Sequence, residues 1–61
     1  MPEVFVLYVI YKIDDEVEVY AVFDSPEQAT QKGVELMDEL SDVISAVGVE
    51  KAVHIKKEVN L

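Results

Sequence analysis

The sequence predicts an α+β domain of order ββαβ, a three-stranded antiparallel sheet with one helix packed on one face. Three observations predict it. The run from Val4 to Ile13 (VFVLYVIYKI) is β-branched and aromatic, which suits a strand. Glu16 to Phe23 (EVEVYAVF) alternates with period two, the pattern of a half-buried strand. Ser25-Pro26-Glu27-Gln28 then opens a segment whose apolar residues recur at helical spacing.

The elements follow in order. Strand 1 spans residues 3–13 and ends at the polar break Asp14-Asp15-Glu16. Strand 2 spans 16–24 and pairs with strand 1 as a hairpin. The helix spans 26–47. Ser25 is its N-cap, Pro26 suits its first position, and Gln28 completes a capping box. Glu27 lies in the first turn, where the helix dipole favours an anion. Ala29, Gly33, Leu36, Met37, Leu40, Val43, Ile44 and Val47 fall on one apolar arc, and Gly48 is the expected stop. Strand 3 spans 49–59. A right-handed crossover through the helix places strand 3 beside strand 1, giving the order 2-1-3 within a single domain, residues 1–61.

Strand 1 is apolar on both faces, and one helix covers only one of them. A hairpin loop of two residues (Asp14-Asp15) or four (Ile13 to Glu16) gives the same facing. A three-residue loop reverses it but wants a left-handed residue where Glu16 stands. With an even loop, Val4, Val6, Tyr8 and Ile10 join Val17, Val19, Ala21 and Phe23 under the helix. The open face is then expected to carry Phe5, Leu7, Val9 and Tyr11, with Tyr20 and Val22 from strand 2 and His54 at its flank. A contiguous apolar patch of this kind marks an interaction surface. A homodimer with two such sheets stacked is the expected assembly, and a foreign protein on the same face is the alternative.

Composition narrows the function. Sixty-one residues make one marginally stable domain, and there is no Cys for a disulfide or thiolate metal site. The net charge is −8, and there is no Arg. Such a surface repels nucleic-acid backbones and anionic membranes, so neither is expected as a direct partner. Residues 1–49 carry eleven acids and two lysines, net −9; residues 50–61 carry two acids and three lysines, net +1. No apolar run reaches the ~18 residues needed to span a bilayer. The absence of Cys and of a basic, cleavable leader fits the cytoplasm.

Chemistry-bearing groups are sparse. The helix carboxylates Glu27, Glu35, Asp38, Glu39 and Asp42 share an arc opposite the apolar one. Such an array either solubilises the chain or imitates DNA phosphates for a basic protein groove. Asp14-Asp15-Glu16-Val17-Glu18 lacks the Gly and spaced acids of a calcium loop and reads as a polar turn. His54, the one imidazole, has no evident nucleophile to serve, and with only two glycines there is no phosphate loop. No catalytic residue, metal or cofactor is expected.

The hairpin followed by Val22-Phe23-Asp24-Ser25-Pro26-Glu27-Gln28-Ala29 resembles small ββα-type proteins of phages and prophages. The resemblance covers about half of the chain and implies a cytoplasmic setting, bacterial or viral-host. It also implies an accessory role, such as binding and inhibiting a host protein. The sequence therefore leads to a non-enzymatic protein-binding domain, with acidic DNA mimicry as the alternative.

Overall fold

The computed structural model describes residues 3–53. They form β1 (Glu3–Tyr11), β2 (Val17–Phe23), α1 (Pro26–Glu39) and β3 (Ile44–Val53). The sheet is antiparallel with order β2-β1-β3, and the α+β, ββαβ arrangement is the one the sequence predicts. β1 is central because both of its ladders are taken, which suits its unbroken apolar character.

The hairpin loop is even. Tyr11 N donates to Glu16 O at 2.9 Å, leaving Lys12–Asp15 as the loop. Asp15 takes the left-handed position (φ 56°), and Asp14 Oδ1 accepts from Glu16 N at 3.1 Å. Asp tolerates that conformation, and its side chain closes such turns locally. Tyr8 and Ile10 accordingly face the same way as their partners Val19 and Val17.

The facing of the rest overturns the expectation. Leu7 pairs with Ala21 but Tyr8 pairs with Val19, so Tyr20 is the extra residue of a β-bulge. Past it the alternation of β2 switches sides. Ala21 and Phe23 share a face with Leu7 and Phe5, not with Val17 and Val19. The chain enters α1 directly after Phe23, and the helix covers the side on which Phe23 packs. Leu7 (0% exposed) and Val9 (2%) are therefore core residues, and Tyr11 packs against them. The expectation that Phe5, Leu7, Val9 and Tyr11 lie on the open face is wrong, because it assumed unbroken alternation through residues 16–23.

α1 begins as read. Ser25 is extended at the N-cap, its Oγ accepts from Gln28 N at 3.3 Å, and Pro26 follows at the first position. The helix ends eight residues early, at Glu39 instead of 47. Leu40 N donates to Leu36 O at 2.7 Å, then Leu40 O accepts from Val43 N and Ile44 N, both at 2.9 Å. Ile44 to Val47, expected as the last helical turn, start β3, and Gly48 lies within that strand. Two forces oppose continuing the helix. Ser41 and Asp42 compete for backbone hydrogen bonds, and Val43 and Ile44 are β-branched. The free ladder of β1 offers an alternative, and pairing runs from Tyr11↔Ile44 to Glu3↔Val53. The part of the expected third strand beyond Val53 lies outside the described residues.

Leu7, Val9, Leu36 and Ile44 form the buried cluster, with Met37, Phe23 and Val47 against it. Gly33 lets the helix approach: a Cβ there would sit 3.3 Å from both Leu7 Cδ1 and Val47 Cγ2. A second bulge at Ser45, between Ile10↔Ala46 and Tyr11↔Ile44, turns Ile44 into this cluster. The Ser45 hydroxyl ties it down by donating to Ile10 O at 3.3 Å. Leu7→Ala is expected to lower stability by about 2–5 kcal/mol in urea denaturation. Ile13→Ser, at a loop residue 96% exposed, should change it by less than about 0.5 kcal/mol.

Candidate functional site: the helix-free face of the sheet

The register defines the uncovered face. β1 contributes Val4, Val6, Tyr8 and Ile10; β2 contributes Val17, Val19 and Val22; β3 contributes Ala46, Gly48, Glu50 and Ala52. The β1 side chains are half-buried between their neighbours, whereas Val17, Val19 and Val22 are 62%, 60% and 56% exposed. Glu50, on the edge strand opposite Val6, is the one charged residue among them. Tyr8 lies across Gly48, its cross-strand partner, and a Cβ on Gly48 would collide with the ring. The glycine thus lets the tyrosine lie flat. The result is a shallow, nearly uncharged surface.

Of the seven residues expected at this interface, Val22 is on the open face, opposite Val6. Phe5, Leu7, Val9 and Tyr11 have the opposite parity. Tyr20, the bulged residue, turns toward the helix: the Lys32 ammonium lies 5.9 Å from its ring centroid. His54 lies outside the described residues. The residues that sequence reasoning missed are Val17 and Val19 on β2, with their neighbours Val4, Val6, Tyr8 and Ile10. Gly48 was the available signal, since a glycine inside a strand often marks the close approach of another group.

The acidic set is also rearranged. Glu27, Glu35, Asp38 and Glu39 are exposed on α1, but Asp42 belongs to the turn after it. Lys32 Nζ sits 3.6 Å from Glu35 Oε2, so a cation interrupts the array. Both groups are partly exposed, and a pair of this kind contributes under about 1 kcal/mol. Lys51 and Glu3 make a similar pair at 3.6 Å on the helix-side rim.

At the other end, the Tyr11 hydroxyl donates to Glu18 Oε1 at 2.7 Å. That hydrogen bond to a carboxylate raises the phenol above its ordinary value of 10.0, aided by burial and by the charges of Glu18, Asp14 and Glu16. Among the described residues no group of three His, Cys, Asp or Glu is placed to hold a metal ion. The Tyr11–Glu18 contact is the one hydrogen bond between two side chains among the described residues. Two depressions flank the helix, one lined by Pro26, Glu27, Thr30 and Gln31, the other by Phe23, Gln28, Gln31, Lys32 and Glu35. No described helix is long and apolar enough to cross a membrane.

Fold and face together define a small two-layer ββαβ domain with one sheet face under a helix and the other uncovered among the described residues. No family model, curated protein or solved structure matches the chain.

Two outcomes test this geometry. Gly48→Ala should cost about 1–3 kcal/mol, and most of that cost should vanish in a Tyr8→Ala background, as a double-mutant cycle by chemical denaturation would read. The raised Tyr11 value contributes stability that is complete below pH 10 and is lost as pH rises through the folded-state value. Phenolate absorbance, taken as the difference from Tyr11→Phe, should show a midpoint above 10.0 that Glu18→Gln moves back toward it.

Proposed function

We propose that this chain is a non-enzymatic, cytoplasmic accessory protein that binds and modulates a protein partner through the helix-free face of its sheet. The observation that carries the reading is a contiguous face of valines, Tyr8 and Ile10 that α1 leaves uncovered, on a chain of net charge −8. Soluble chains rarely leave such a face without a partner. A flat face without converging acids, bases or donors suits docking better than chemistry. The lack of Cys suits a reducing compartment. The resemblance of the hairpin and Ser25-capped helix to phage accessory proteins supports inhibition of a host protein as the form the modulation takes.

Acidic DNA mimicry through Glu27, Glu35, Asp38 and Glu39 has less support, since Lys32 stands among these carboxylates and Asp42 leaves the helix. The two readings separate by salt. Apolar docking holds between about 50 and 500 mM salt, while a phosphate mimic loses its target steeply.

Immobilised chain is expected to retain protein from bacterial lysate supplemented with a tagged second copy of the chain. Val6→Glu and Val19→Glu should abolish that retention. Val34→Glu, at an exposed position of α1, should preserve it. Equal retention by all four chains would remove the sheet face from the function.

A further inference from the structure

We infer that the occupant of the helix-free face is a second copy of this chain, stacked sheet against sheet with the two helices outermost. The inference rests on the reading of that face as a docking surface and names its partner.

Charge placement is the first argument. Four carboxylates lie on α1 and four more, Asp14, Asp15, Glu16 and Glu18, at the hairpin turn and the start of β2. The uncovered face carries Glu50 alone among its described residues, on an edge strand where it can remain at the rim. Face-to-face stacking sets the two acidic helices about three layer spacings apart, roughly 30 Å. That is nearly four Debye lengths at physiological salt, so the helix carboxylates of one copy scarcely repel those of the other. Joining two β2 edges instead would leave the helix-free face of each copy uncovered by the other. A second copy on the apolar face buries that surface while keeping the two acidic helices apart.

Size is the second argument. Three strands about 4.8 Å apart and some seven residues long give a face of roughly 15 by 25 Å. Two such faces, with their side-chain relief, bury on the order of 1,000 Å² in total, the lower bound for a specific interface. The expected dissociation constant is therefore micromolar. The need for it is plain on the helix side, where the buried hydrophobic residues described are Leu7, Val9, Ala29, Leu36 and Ile44. A 61-residue chain without disulfides gains what such a core lacks by closing its second sheet face. The face also suits itself. Apart from Glu50 on the edge strand its side chains are apolar but for the Tyr8 hydroxyl, and aligned sheets pack with side chains interdigitated about 10 Å apart.

Sedimentation equilibrium of the full chain tests this. The expected result is a monomer–dimer equilibrium in the micromolar range, with a thermal midpoint that rises with chain concentration. Val6→Glu and Val19→Glu should weaken association about 100-fold or more, and Val34→Glu should leave it intact. Because the face variants can lose folding along with the dimer, wild-type chain supplies an independent readout. In a mixture of isotope-labelled and unlabelled copies, filtered NMR should show contacts between copies at Val6, Tyr8 and Val19. A wild-type monomer at about 0.5 mM, far above a micromolar constant, overturns the inference. In that outcome, loss of lysate capture by Val6→Glu would leave the docking reading standing. A dimer whose contacts lie at the edges of β2 or β3 overturns the inference as well.

Discussion

The extra residue at Tyr20 decides which side of the sheet the helix reaches. Between the hairpin and the bulge, β2 places Val17 and Val19 beside Tyr8 and Ile10. Beyond the bulge it places Ala21 and Phe23 beside Leu7 and Phe5, and the chain goes straight from Phe23 into the Ser25 cap. A strand has a side-chain period of two, so one added residue exchanges the faces of everything past it. Leu7 and Val9 are buried, and Val6 and Tyr8 uncovered, as a consequence of that single insertion. The second bulge, at Ser45, serves the same core from the other side by turning Ile44 inward.

Both faces of β1 are apolar, and the helix packs on one of them. The helix side is packed closely, down to the contact that Gly33 permits with Leu7 and Val47. Its core is nevertheless small, and eight of the carboxylates lie on the helix exterior and at the hairpin. Charge and apolar surface are thus separated onto opposite sides of a thin two-layer domain. Such a distribution keeps the chain soluble on one side while leaving the other side free to dock. The proposed function and the proposed second copy both draw on that separation. A dimer built this way presents its acidic helices outward on both sides.

Local signals in the sequence carry through to the structure where a few neighbouring residues hold the physics. The Ser25 cap, Pro26 at the helix start, the polar hairpin and the even loop parity are of this kind, and so is the central place of β1. The errors arose where two local patterns compete. Val43, Ile44 and Val47 satisfy helical spacing after Leu40, yet they also suit a strand. The open ladder of β1 tips that balance, and only the assembled sheet contains it. The bulge was illegible for a similar reason. Glu16 to Phe23 alternates without a break in sequence, and inserting Tyr20 becomes favourable only when Phe23 must share a side with the helix it leads into.

The sequence by itself determined that this is a small acidic ββαβ domain with a doubly apolar central strand, because composition, caps and periodicity are properties of neighbouring residues. Tertiary structure decided which of the two faces remains uncovered. That choice depends on the position of one unpaired residue in an edge strand, and a period of two carries no record of where its count is broken.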